Sequence, residues 1–410
     1  MTAFLRRGSR WITLATLVLL PLSTVHIITA PRAVSLANLL ILLTMLTVAG
    51  SLVVRAIRWE PLRDSSLLTV LAGLAVALIW GLAHSHPLSS GAGTIVSRFL
   101  LPLGFGMSVA LLIANRLLTP GEFLAAIATS LVTLALIDFL QVLRFLPSAD
   151  PARPTGVYLY PNTLGRYITY GVLLTSPWLI ASYARTPNPG LVGGWLTVGL
   201  ALLLTISYGA IVTLAIGLAF TAAWLPTQFR RLKQVSLAIG VVALIALLPN
   251  FSRLPQYQTK IHESLVSRLE YWSVAQAVLN NDHHWLTGIG LKTWELDYSQ
   301  LVERYGPSPP LNWASPHPHN VILDSAVRAG IPGIVAILAF LAWPIYRVLR
   351  SSHDTYWWYM LGVAALSIGA LVFGILDDPL WSDDVMPLIM ACWFVLATLP
   401  LLTAKRPADA

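Results

Sequence analysis

Long apolar stretches alternate with short polar breaks along most of this chain. Stretches long enough to cross a bilayer lie at 11–30, 34–54, 66–84, 97–115, 122–142, 164–183, 191–207, 208–225, 235–249, 331–349, 356–376 and 385–403. The 191–225 stretch divides at Ser207-Tyr208-Gly209. Between the ninth and tenth stretches comes the longest polar segment, Asn250–Gly330. The pattern predicts an all-α polytopic membrane protein of about 12 transmembrane helices with one large loop. Its parts are helices 1–9 over 1–249, the loop over 250–330, and helices 10–12 with the C-terminus over 331–410.

Composition agrees. The chain has 410 residues, of which 56% are hydrophobic and 11% charged. A soluble protein carries about 25% charged residues. The formal net charge of +8 does not point to nucleic acid, because no basic block is interleaved with aromatics. The one cysteine, Cys392, lies in an apolar stretch, which excludes disulfides and cysteine-based metal sites. Arg6, Arg7 and Arg10 before an apolar run mimic a secretory signal, but Pro31 follows Thr29-Ala30, so the reading is an uncleaved first span.

Charge sets the orientation. Most arginines and lysines fall on one set of loops and termini, from Arg6 and Arg55 through Arg116, Arg185 and Arg230 to Arg350 and Lys405. The other set holds Arg32, Arg98, Arg144, Arg153 and Arg166. By the positive-inside rule the first set, with both termini, is cytoplasmic. The large loop is then extracytoplasmic. Tryptophans near span ends, such as Trp80, Trp178, Trp343 and Trp381, fit interfacial belts.

Within the loop, Ser267-Arg268-Leu269-Glu270 fits a capping box, predicting a helix over Leu269–Leu279 with Arg268 in its first turn. A cation gains nothing there, so Arg268 calls for an anionic partner. Gly288-Ile289-Gly290 marks a turn, and prolines 307, 309, 310, 316 and 318 stiffen the approach to two histidines.

Those histidines lie in Ser315–Gly333, SPHPHNVILDSAVRAGIPG. Pro318 disfavours helix at His317, so His317 and His319 are expected on extended backbone with their rings sharing one space. Val321–Ala329 reads as a short helix with Asp324 and Arg328 on a polar side, ended by Gly330, with Pro332 opening the next. Three readings compete for the pair: loop histidines bonded to backbone, a His-x-His metal chelate, or a general base for hydroxyl attack. No Cys, Asp or Glu spacing supports a metal shell. A helix start beside His319 or Asn320 disfavours imidazolium and suits a base.

Arginines on the outer side run against the positive-inside trend. Arg153, Arg166 and Arg268 suit bidentate phosphate binding, although each alone also reads as a snorkelling or ion-paired residue. Asn162 in Tyr160-Pro161-Asn162 reads as the N-cap of the span carrying Arg166. Asp138, an intramembrane acid with Gln141 a turn later, is either functional or paired with Arg144. Asp377, Asp378, Asp383 and Asp384 read as a solvated rim, with substrate contact or cation binding as the alternative.

Four places in order carry a family resemblance: Arg153-Pro-Thr-Gly through Tyr160-Pro161-Asn162-Thr163-Leu164-Gly165; Ser207-Tyr208-Gly209-Ala210; Arg268 to Trp272 with Gly288-Ile289-Gly290; and His317-Pro318-His319-Asn320 through Gly330-Ile331-Pro332-Gly333. The chain resembles the O-antigen ligase and polymerase superfamily of bacterial membrane glycosyltransferases. The resemblance implies a GT-C-like, metal- and cofactor-independent, inverting transferase at the periplasmic face of the inner membrane. Its donor would be a glycan on undecaprenyl pyrophosphate, and its acceptor lipid A–core in a ligase or another lipid-linked repeat in a polymerase. Carried over, His319 matches the essential histidine, with His317 orienting it or the acceptor. Arg268 matches the loop arginine on the pyrophosphate, and Asn320, Asn162 and Tyr208 have supporting places. Tyr208 departs from the pattern, since family members commonly have arginine there; Arg166 or Arg153 is expected to compensate.

The chemistry is coherent on its own terms. Sugar transfer from a pyrophosphate needs positive charge on the leaving group and a base on the attacking hydroxyl. Short basic inner loops leave no place for a nucleotide with metal. A polymerase of lipid-linked repeats is the alternative within the same chemistry, with a transporter or flippase of lipid-linked glycans in another class. Transporters place polar sites near midplane, often in repeated halves, whereas here the polar candidates gather at one face.

Overall fold

The computed structural model describes residues 2–24, 26–28, 34–59, 64–150, 153–158, 160–225, 229–230, 233–234, 237–238, 241, 255–281, 283–306, 317–350, 356–377 and 385–403. Apart from one short antiparallel hairpin, β1 (His26–Ile28) and β2 (Val34–Ser35), the regular structure of these residues is helical.

The first helices are α1 (Thr2–Leu19), α2 (Leu36–Val53) and α3 (Ser65–Ala83). Next, α4 (Leu88–Ile95) runs through a π turn into α5 (Leu101–Ala114), and α6 (Pro120–Val142) follows. Their starts follow local chemistry. The Ser35 side chain accepts from Asn38 N at 3.1 Å, and Asp64 accepts from Ser66 and Leu67 N, each at 3.1 Å. Thr119 and Glu122 form a reciprocal capping box ahead of α6, with Pro120 at its first position.

Then come α7 (Pro161–Arg185), α8 (Pro189–Leu204) and α9 (Tyr208–Trp224). Beyond them lie α10 (Pro255–Asn281), α11 (Thr293–Tyr305), α12 (Val321–Arg350), α13 (Trp357–Leu376) and α14 (Val385–Thr403).

Seven of these segments are long and apolar enough to cross a membrane: α2, α3, the continuous α4–α5, α6, α12, and the bodies of α13 and α14. Helices α8 and α9 are apolar but shorter. Three sequence expectations are corrected. The first apolar stretch is helical as Thr2–Leu19 and then turns through a 3₁₀ segment, Leu20–Thr24, rather than continuing to residue 30. Ser267 is no N-cap, because α10 begins at Pro255 and runs through it; Arg268 therefore sits in mid-helix. Asn162 is not the cap of α7 either: Tyr160 holds that position and Pro161 starts the helix. The expected span at 235–249, prolines 307–316, Asp378, Asp383, Asp384 and the C-terminal basic residues lie wholly or largely outside the described residues.

Packing explains the placement of the polar end. Helix α14 is buried along almost its whole length, lying along α5, with Trp393 Nε1 donating to Phe340 O of α12 at 3.0 Å. Buried hydroxyl pairs join α1 and α2, Ser9–Ser51 at 3.0 Å and Thr16–Thr44 at 2.9 Å, the polar contact expected where helices meet without water. Helices α7, α9 and α13 pack mutually, and α12 packs on α3 and α13. Because α7 and α9 run opposite to α13, the starts of the first two and the end of the third meet at one edge. There Arg166 and Asp377 feel each other's charge. Helices α10 and α11, with the first turns of α12, enclose a separate small core of Tyr271, Val274, Val278, Trp294, Tyr298, Ala326 and Val327.

Candidate functional site

The site is built on a break in α12. Ala329 (φ −146°) and Gly330 (φ 65°, ψ −154°) interrupt the helix. The broken backbone groups are satisfied from the loop after α10: Ile289 N donates to Val327 O, and Ile331 N donates to Trp285 O, each at 2.7 Å. Gly330 has a left-handed φ, and a Cβ there would lie 2.5 Å from Leu286 backbone atoms. At Gly288 (φ 66°) an added Cβ would likewise lie 2.6 Å from the Ala329 amide nitrogen. Two glycine motifs far apart in the chain are thus one interlock, and it fixes the angle of the short helical segment that carries the histidines.

Beneath that segment the Asp324–Arg328 pair is buried rather than on a solvated side. Arg328 Nε donates to Asp324 Oδ2 at 2.6 Å, and its Nη2 reaches Glu295 Oε1 at 3.3 Å. Another arm of the guanidinium donates to Leu291 O. Arg98 and Lys292 approach Glu295 at 3.5 and 3.4 Å. Burial would raise the Glu295 carboxyl, but Arg328, Arg98 and Lys292 hold it below its ordinary value.

Asn320 caps the segment, its Oδ1 accepting from Ile322 N at 3.0 Å and Leu323 N at 3.1 Å. Its Nδ2 donates to Ile375 O at 3.0 Å, pinning the end of α13 beside the histidines. Two residues on stands Asp377. Its Oδ1 lies 3.0 Å from His319 Nδ1 and 3.9 Å from His317 Nε2. The rings of His317 and His319 are 4.2 Å apart, and His319 stacks on Tyr271 of α10 at 5.4 Å with 23° between planes. The rings share one space as expected, but not through extended backbone: His319 has a left-handed φ of 52°.

The hydrogen bonds assign the tautomers. His319 N donates to His317 Nδ1 at 3.2 Å, so that nitrogen is an acceptor and the neutral ring carries its proton on Nε2, facing Asp377. Burial lowers His317 to about 4, against the opposing charge of Asp377. Burial would raise Asp377, yet the hydrogen bond from His319 and the charges of His319, His317 and Arg166 hold its carboxyl well below the usual range. An ionised Asp377 requires His319 Nδ1 to donate, and in the neutral ring that tautomer puts the lone pair on Nε2.

His317, His319 and Asp377 place ligand atoms within 4.8 Å of one another, so they have the reach to hold a metal ion. Ligation through His317 Nε2 would require the proton to move to Nδ1, which faces a backbone N–H donor. Two histidines and a carboxylate are a metal-capable donor set, and the bond at His317 Nδ1 is what opposes ligation through that ring.

Arg166, one turn into α7, is buried and acts on Asp377. The ring of Tyr208, at the start of α9, is half-buried, and Gly165 backs directly onto Ser207. Arg268 lies one turn before Tyr271 on α10 and is half-buried. Arg153 sits on the loop after α6, paired with Asp150 at 3.0 Å. That loop is laced by Gln141, which uses all four of its hydrogen-bonding positions on Pro147, Thr155 and Gly156 at 2.8–2.9 Å. Asp138 is fully buried and makes no ion pair with Arg144 among the described residues. Asn162 is half-buried in the first turn of α7.

The arrangement brings together His317, His319, Asn320 and Arg166. It adds Asp377, which the pattern placed on a solvated rim, and Tyr271. Asp377 directly follows an apolar span, the one sequence feature separating it from the other three aspartates.

Residues 193–338, from α8 into α12, match the model of the family described as O-antigen ligase, the family that the sequence motifs resemble. The match takes in Tyr208, Arg268 and both histidines, and leaves out Arg153, Arg166 and Asp377. No curated protein matches the chain.

Proposed function

We propose that this protein is a metal-independent, inverting glycosyltransferase that moves a glycan from undecaprenyl pyrophosphate to an acceptor hydroxyl. In this reading it is an O-antigen ligase acting on lipid A–core at the periplasmic face of the inner membrane, with both termini cytoplasmic. The 250–330 loop and the ends of α7, α9 and α13 form the site, and the spans over 1–249 and 331–410 hold it. The observation that carries the reading is the 3.0 Å contact of His319 Nδ1 with the carboxylate of Asp377.

His319 Nε2 takes the proton of the acceptor hydroxyl as its oxygen bonds to the anomeric carbon. The bond from that carbon to the pyrophosphate oxygen breaks on the opposite face, and undecaprenyl pyrophosphate leaves with the electron pair. Asp377 stays ionised, holds the ring in the required tautomer and stabilises the imidazolium that forms. His317, kept neutral by burial, orients the acceptor or its partner ring. Charge on the leaving group comes from Arg268 and Arg166, with Arg153 further out. Arg166 takes the part of the arginine that Tyr208 replaces. In support, it lies in the early turns of α7, which pack against the α9 start, and its charge already acts on the dyad. Asn320 holds the dyad together, while Asn162 and Tyr208 line the approach.

The test is glycan transfer by purified protein from an undecaprenyl pyrophosphate donor, with lipid A–core and an unextended lipid-linked repeat as separate acceptors. Transfer to lipid A–core that survives chelator and is lost in His319→Ala supports the ligase. Growth of the repeat alone makes the protein a polymerase with the same site. Transfer by His319→Ala at the wild-type rate removes the base assignment.

A further inference from the structure

The opposite, basic end of the bundle carries a second feature that the transfer reaction does not use. Between α3, α5 and α14 lies an apolar groove of about 470 Å³, lined by Leu71, Phe99, Met107, Leu111 and Phe394 and by Trp59. Trp59 is 59% exposed, an indole at the place where interfacial tryptophans sit. The adjoining backbone is clasped: Asn115 donates to Arg58 O and accepts from Arg58 N, both at 2.9 Å. The clasp ties Asn115, and with it the adjacent Arg116, to the backbone of Arg58 next to the groove-lining Trp59, and Arg116 follows two residues after the groove-lining Ala114.

Arg55 and Arg116 both hold left-handed φ, 54° and 58°, at the ends of α2 and α5, where glycine is the unstrained choice. Arg6 donates to Ala56 O and joins them. The described acids at this end are already matched, Asp64 to Arg347 and Glu122 to Arg10. Among the described residues Arg55, Arg58 and Arg116 have no carboxylate partner, and all three are exposed.

We propose that this groove is a binding site for an anionic phospholipid of the leaflet at the basic end. One acyl chain lies along Leu71, Met107 and Phe394, and the headgroup phosphate sits against Arg58 and Arg116. A groove between spanning helices with cations beside it complements such a lipid in both shape and charge. A zwitterionic lipid fits the groove equally well but offers no net charge to the arginines. The inference rests on the membrane fold and not on the transfer reaction, so either can fail without the other.

Native mass spectrometry of the detergent-purified, delipidated full chain tests it, with phosphatidylglycerol or phosphatidylethanolamine added back. Wild type should retain phosphatidylglycerol preferentially. The Arg58→Gln/Arg116→Gln variant should bind it roughly thirtyfold more weakly, since each basic residue near the surface contributes about 1 kcal/mol. Ala72→Trp, which fills the groove from α3, should lose it while both arginines remain. The surface double variant leaves the packed interior untouched, so misfolding does not mimic its effect. Equal retention of the two lipids by wild type, or unchanged phosphatidylglycerol binding by the arginine variant, would overturn the proposal.

Discussion

His319 Nδ1 and Asp377 Oδ1 meet at 3.0 Å across a sequence separation of 58 residues. They meet because Asn320, next to the histidine, donates to the Ile375 carbonyl two residues before the aspartate. One hydrogen bond thus sets the geometry of another, and the capping residue of α12 is also the clamp on the end of α13.

Removing the charge of Asp377 while keeping its shape should be costly. Asp377→Asn should lower turnover roughly 10²- to 10⁴-fold, the range of a positioned acid–base contribution. Donor binding should change far less, and Asp377→Glu should recover part of the loss. Steady-state transfer by purified variants reads this, and an Asn variant within a factor of about two of wild type, well short of that range, would refute the dyad.

Arg166 and Arg153 differ in their surroundings, the first buried and acting on Asp377, the second occupied by Asp150. Arg166→Ala should cut turnover by about 10² or more, as loss of a charge-stabilising donor does. Arg153→Ala should cost much less. Near-normal activity of Arg166→Ala would exclude it from the leaving-group role.

The buried network under the histidines is structural. Arg328→Leu removes the guanidinium from buried Asp324 and one of three cations from Glu295, and should destabilise the protein by about 3–5 kcal/mol. A thermal melt in detergent should register it. The exposed variant Arg185→Leu should leave the melting temperature nearly unchanged.

The interlock at Gly330 and Gly288 predicts a sharp penalty for one methyl group. Gly330→Ala adds a Cβ 2.5 Å from the Leu286 backbone at a left-handed φ. At φ 65° and ψ −154°, a region essentially reserved for glycine, the conformation alone costs roughly 1–3 kcal/mol before any clash. Reduced folded yield on size-exclusion chromatography, beside a normal Gly93→Ala variant with open space around it, is the expected result.

Acid should destabilise the site through His317. Its folded value of about 4 lies below the ordinary 6.5, so the unfolded chain binds more protons in between. The stability that the neutral ring contributes is present above about 6.5 and is lost as pH falls toward 4. Melting temperatures over that window should decline less in His317→Gln than in wild type.

The sequence alone determined the membrane class, because apolar runs and charge placement are local and additive. It also identified the pieces that carry chemistry, since Pro318, Gly330 and Pro332 restrict the backbone wherever they stand. Tertiary structure decided which pieces meet. Asp377 looked like one of four rim aspartates until the end of α13 was pinned against Asn320. Asp324 and Arg328 read as a polar face because i, i+4 spacing says nothing about what covers it; α11 covers it with Glu295. The Ser267–Glu270 box met every local rule for a helix start, yet the helix begins at Pro255. Local preference there is worth about 1 kcal/mol, and a helix that already has something to pack against simply runs through it.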